Sequence, residues 1–114
     1  MEDKKLLEVI DIYKRDFQTD GILEIKYPYN QFFNDSNSVL AHCHSMLRGI
    51  MEFIAIGGKE KRDRALIRLG FVQGCLVATR QYTVEDLKNH NKPDPSKPKT
   101  LEPLTKEELE DWEY

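Results

Sequence analysis

Apolar side chains recur every three or four residues over two stretches, 38–56 and 59–82, separated by Gly57-Gly58. That period marks amphipathic helices, and two adjacent glycines allow the chain to turn straight back. In the first stretch Leu40, Cys43, Leu47, Ile50 and Ile54, flanked by Val39, Met46 and Phe53, make a stripe wide enough for two neighbours. In the second, Ala65, Leu66, Leu69, Val72 and Leu76 are the buried set. The two stretches therefore predict an antiparallel helical hairpin.

The same period predicts a helix over residues 3–17, with Leu6, Leu7, Ile10, Tyr13 and Phe17 on one side and Asp3 as its N-cap. Thr19-Asp20-Gly21 supplies turn chemistry that ends it. Residues 22–27 then alternate in the manner of a short strand or extended arm, which Pro28 stops. An isolated strand has no partner here, so a loop, a helix or another protomer must cover its edge. Asn34-Asp35-Ser36 caps the first long helix. At Tyr82-Thr83-Val84-Glu85-Asp86-Leu87, Thr83 and Asp86 have capping-box spacing and Tyr82 can staple to Leu87, so a short helix runs to Asn91.

Four of the five prolines fall in residues 92–103, which reads as an extended linker. Thr105 and Glu108 repeat the capping signal and open an acidic terminal helix that holds Trp112. The expected fold is thus all-α (mainly helical), with residues 1–91 as the helical domain and 92–114 as linker and acidic helix.

Small residues recur every four positions on both long helices: Ala41, Ser45 and Gly49 on one, Gly70, Gly74 and Ala78 on the other. A glycine inside a helix costs about 1 kcal/mol relative to alanine, so close backbone approach is the expected reason. The favoured expectation is that these faces meet inside the hairpin; a symmetry mate on the Gly70 face is the alternative.

A chain of 114 residues with 39% hydrophobic and 32% charged side chains is a single soluble domain with a modest core. Its apolar runs, the longest at residues 49–58, fall short of the ~20 residues of a membrane span, and no secretory leader is visible at its start. Two cysteines without metal spacing suit a cytosolic protein with buried thiols; Cys43 and Cys75 lie at loosely matching heights on the hairpin, which neither requires nor forbids a disulfide.

The net charge of −3 conceals a segregation: residues 59–82 carry six basic and two acidic groups, residues 83–114 five and nine. Lys61, Arg62, Arg64 and Arg68, near a helix N-terminus, form a candidate anion or nucleotide site. The negative total and the acidic tail argue against nucleic acid.

His42 and His44 stand two apart on a helix, about 200° around it, so one metal does not take both and one of them at most is expected in the core. No metal or cofactor is expected. Neither a carboxylate pair nor a Ser-His-Asp set is visible, and Cys43 diverges from the adjacent histidines, so catalysis is not expected. The crowded aromatics Tyr27, Tyr29, Phe32 and Phe33 either roof the core or form a recognition surface. Together with Trp112 they are the candidate partner-binding residues.

One further pattern concerns family. Arg68-Leu69-Gly70-Phe71-Val72-Gln73-Gly74-Cys75-Leu76, then Tyr82-Thr83-Val84-Glu85-Asp86-Leu87-Lys88-Asn89-His90-Asn91, resembles small accessory proteins of tailed bacteriophages. His44-Ser45-x-x-Arg48-Gly49 is similar to the preceding helix in such proteins. The resemblance covers roughly residues 42–91 and carries over no catalytic residues. It implies an accessory protein of the host bacterial cytoplasm that binds a host or host-defence protein, with Arg68 and Gln73 as positions to follow; Gln73 is expected to bond within the hairpin. Self-association is the companion expectation, since the extended arm, the glycine face and the tail all need cover.

Overall fold

A computed structural model describes residues 2–92, and within them the chain forms four helices and no strand: α1 (Asp3–Thr19), α2 (Ser36–Ile56), α3 (Lys59–Ala78) and α4 (Val84–Asn91). The all-α class follows directly. The linker, the acidic terminal helix and Trp112 lie outside the described residues.

Helices α2 and α3 form the antiparallel hairpin. Gly57 (φ 78°, ψ −176°) and Gly58 (φ 88°, ψ 155°) make the reversal in a region of backbone space that essentially glycine alone enters. Helix α1 lies along the hairpin, antiparallel to α2, with Asp3 paired to Arg62 at 3.3 Å near one end and Phe17 against His44 near the other, ring centroids 5.2 Å apart. One core joins the helices, built from Leu6, Val9, Ile10 and Tyr13 on α1, Cys43, Leu47 and Ile50 on α2, Leu69, Val72 and Leu76 on α3, and Leu87 on α4. By length and composition alone α2 could cross a membrane; here its apolar side packs on α1 and α3.

A polar knot crosses this core. Gln73 Nε2 donates to the Tyr13 hydroxyl at 3.0 Å and to Asn91 Oδ1 at 2.8 Å, and Asn91 Nδ2 returns a bond to Gln73 Oε1 at 3.2 Å. The Tyr13 hydroxyl stands 3.0 Å from His90 Nδ1. The two groups share one hydrogen bond, which a neutral ring can accept at Nδ1 from the hydroxyl. Burial pushes the His90 pKa below its ordinary 6.5, against the pull of Asp86 and Asp16, and so favours the same form. The rings of Tyr13, Tyr82 and His90 pack on one another at 4.9–5.5 Å. Gln73 therefore bonds across to α1 and α4, not within the hairpin as expected.

Caps account for most helix limits. Asp35 accepts from the Ser38 N–H at 2.8 Å, and Thr83 and Asp86 exchange both capping-box bonds, as anticipated. Asp3 is inside α1, not its cap; Glu2 takes that place, with no side-chain capping bond to the helix. Helix α1 ends in a Schellman motif, with Ile22 N–H to Phe17 O at 2.8 Å and Gly21 left-handed at φ 71°. Helix α3 ends identically, through Gln81 N–H to Leu76 O at 2.8 Å, with Arg80 in the left-handed position at φ 62°. No glycine announces that stop, so α3 is shorter than the predicted 59–82.

Three expectations about faces are corrected. Gly70 and Gly74 do not meet α2: a Cβ at either would find no atom within 4 Å, and with Ala78 they lie on the exposed side of α3. Leu7 is on the rim of α1, 41% exposed, and Val9 takes the buried place. Both His42 and His44 are buried, not one alone, because the segment between α1 and α2 covers the side of α2 that the bundle leaves open.

Two stability changes follow. Tyr13→Phe removes the hydroxyl that joins Gln73 to His90 and should cost about 1–3 kcal/mol, read as a lower urea midpoint at unchanged slope. Arg80→Gly relieves the left-handed strain and should raise stability by about 0.5–1 kcal/mol in the same measurement.

Candidate functional site

Residues 20–35 leave α1 and run over α2 as an extended arm held at four successive points. His44 Nδ1–H donates to the Ile22 carbonyl at 2.9 Å. Glu24 receives Arg48 at 2.7 Å and lies 3.5 Å from His44 Nε2. The Ile25 N–H donates to the Ala41 carbonyl at 3.1 Å, and the Tyr27 N–H to His42 Nδ1 at 3.0 Å. All four partners belong to α2, at positions 41, 42, 44 and 48. A helix thus satisfies the edge of the lone extended segment, which needs neither a second strand nor a second protomer for those groups.

After Pro28 the chain turns, with the Gln31 N–H donating to the Pro28 carbonyl at 3.3 Å. The turn splits the aromatic group in two. Tyr27 and Phe33 are half-buried; their rings pack on each other at 5.6 Å and on His42 at 6.3 and 5.4 Å. Tyr29 and Phe32 are 82% and 99% exposed; the Tyr29 ring stands edge-on to His42 at 6.4 Å, with Lys26 Nζ 5.9 Å from its centre. Leu23, 68% exposed, extends the apolar surface along the arm. The group thus divides: Tyr27 and Phe33 pack over α2, as the roofing reading expects, and Tyr29 and Phe32 are exposed.

The His42 side chain is the hinge pin of this arrangement. Its Nδ1 accepts from a backbone N–H, so the ring must be neutral. Burial, reinforced by the nearby Lys26 charge, holds its pKa below the ordinary 6.5. The chemistry available here is apolar and aromatic contact with a few backbone groups, suited to recognising another macromolecule.

The basic residues at the start of α3 do not converge. Arg62 turns to Asp3 on α1, and Arg64 pairs with Glu60 at 3.1 Å along its own helix. Lys61 and Arg68 lean the other way, over the Phe53 ring at 5.2 and 4.6 Å. A shallow hollow beside the α3 N-terminus is lined by Phe53, Gly57, Gly58, Lys59 and Arg62, but Asp3 also lines it and answers Arg62 with a carboxylate. Among the described residues, no group of three or more His, Cys, Asp or Glu side chains is placed to hold a metal ion. Sequence reasoning missed the anchoring roles of His42, His44 and Arg48. The signal was present as three polar residues on a mainly apolar helix following an arm with unpaired backbone.

Comparison with protein-family models, curated proteins and solved structures gives no match to this chain.

Acidification should release the arm at one point. A group whose folded pKa is depressed favours folding above its unfolded value and loses that contribution as pH falls through the folded value. The Tyr27–His42 bond therefore persists below pH 6.5 and opens only as pH falls through the lowered pKa of the folded ring. Amide exchange measured against pH should show Tyr27 losing protection while Ile25, bonded to a carbonyl, keeps its own.

Proposed function

We propose that the protein is a phage accessory protein that acts by binding, and that the arm is its contact surface for a host or host-defence protein in the bacterial cytoplasm. The observation that carries this reading is the near-complete exposure of Tyr29 and Phe32 on a segment tied to α2 at four points. Flexible loops lose binding energy to ordering; an arm held in place loses less. Covering a large apolar side chain is worth about 1.5–3 kcal/mol, and aromatic anchors of this kind dominate protein interfaces. Tyr27 and Phe33 serve as supports, since their rings are spent on His42. Trp112 belongs to the same reading as a second anchor.

Self-association is part of the proposal. Ile67, 73% exposed, and Phe71 share the outer side of α3 with Gly70 and Gly74, an apolar strip on which a second copy could lie close. The alternative, a nucleotide or second-messenger sink at Lys61, Arg62, Arg64 and Arg68, has less support because Arg62 and Arg64 are answered by Asp3 and Glu60 while Lys61 and Arg68 lie over Phe53. No catalytic step enters the proposal, and neither a cofactor, nucleic acid nor a membrane is required.

The test is affinity capture from bacterial lysate with the full chain and with Tyr29→Ala, Phe32→Ala and the double variant. Each single change should weaken recovery of the captured protein about tenfold or more, with the melting temperature unchanged, because both side chains are exposed. Undiminished capture by the double variant would show that the arm is not the contact.

A further inference from the structure

The end of the hairpin where α2 turns into α3 joins apolar surface to positive charge. Phe53, half-buried on α2, has Lys61 Nζ 5.2 Å and the Arg68 guanidinium carbon 4.6 Å from its ring centre. Gly49, one turn earlier on α2, makes room for that arginine: a Cβ there would stand 3.9 Å from Arg68 Nη1. The hollow that Phe53 shares with Ile54, Gly57, Gly58 and Lys59 has a volume of about 370 Å³, and Ile56 next to the turn is exposed. Asp3 and Glu60 are spent on Arg62 and Arg64. Among the described residues, Lys59, Lys61 and Arg68 make no ion pair.

The chain beyond Lys92 carries the chemical complement. Residues 104–114 hold Glu107, Glu108, Glu110, Asp111 and Glu113 against Lys106 alone. Leu109 and Trp112, three positions apart, fall on one side of the terminal helix that the capping signal predicts. The distance is within reach. Asn91 is bonded to Gln73, and Lys61 lies twelve residues, about 18 Å, back along the same helix; passing round α3 adds about 10 Å. Residues 93–103, with four prolines, can span about 34 Å at ~3.1 Å per residue. Tryptophan is also the aromatic that holds a cation best, so an indole here would enclose Lys61 and Arg68 against the Phe53 ring.

We propose that residues 104–114 dock on this end of their own hairpin, with Trp112 beside Phe53 and the neighbouring carboxylates against Lys59, Lys61 and Arg68. Single ion pairs at a surface are weak, so the indole supplies the apolar contact that makes the docking hold. The charge segregation of the chain then has a use: the acidic segment is the resident ligand of the basic one. Trp112 becomes available to a partner only by leaving this seat. The arm on α2 takes no part in the contact, and no host protein is needed to form it.

Trp112 is the sole tryptophan, so its fluorescence reads the seat directly in the full chain. Emission should lie at shorter wavelength than in the urea-unfolded chain, be shielded from acrylamide, and be the same at every protein concentration. Lys61→Glu with Arg68→Glu should open Trp112 to acrylamide as fully as urea does, and so should Glu108→Lys with Asp111→Lys. Combining the two pairs of changes should restore the shielding, which an unfolded variant cannot do. Carbodiimide coupling of the wild-type monomer should join a carboxylate of residues 107–113 to Lys59 or Lys61. Trp112 open to acrylamide in the wild-type chain would overturn the proposal, as would shielding unchanged by either reversal or a combined variant that stays open. Emission that tracks protein concentration would overturn it too, by giving the seat to the tail of a second copy.

Discussion

The hydrogen bonds that converge on the Tyr13 hydroxyl set the arrangement of three of the four helices. A buried hydroxyl and amide beside a half-buried imidazole are costly if any loses its partner, so they favour one relative position of α1, α3 and α4. Apolar contacts around them, such as Leu69 and Leu87, tolerate sliding; the knot does not. The Tyr82 ring closes over the group. The gain is specificity of packing more than net stability, since each such bond returns only about 1 kcal/mol.

The second constraint is the division of labour on α2. One side builds the core with Leu47 and Ile50, while Ala41, His42, His44 and Arg48 use backbone or side-chain groups to hold the arm. A single rigid helix therefore connects the core to the candidate contact surface without an intervening flexible element. Tyr29 and Phe32 are displayed because Tyr27 and Phe33 are pinned on either side of them.

How much of this was legible depended on whether the signal was local. Gly57-Gly58, Asp35 and the Thr83–Asp86 box are short-range devices and state their positions in the sequence. The paired ends of α1 and α3 show the limit: identical motifs, with Gly21 in one and Arg80 in the other, and only the glycine is readable. The places of Gly70 and Gly74, the partners of Gln73 and the burial of His42 all depend on which element lies across from them, and one-dimensional periodicity does not encode that. The arm was foreseen, with a helix among its three possible covers, but not that α2 is the one. Aromatic crowding could be seen without revealing which rings would turn outward. The phage resemblance and the proposed partner stay with the residues that suggested them.

The knot has a consequence for how the molecule assembles. The α2–α3 hairpin closes across a two-residue turn, so its contacts form at small entropic cost. The bond between Tyr13 and His90 instead joins residues 77 apart, and α4, with eight residues, has little stability of its own. Ordering α4 thus waits on α1 having already docked, and in the folded protein the same helix is the first to detach. Detaching α4 would uncover Gln73 while leaving the hairpin intact.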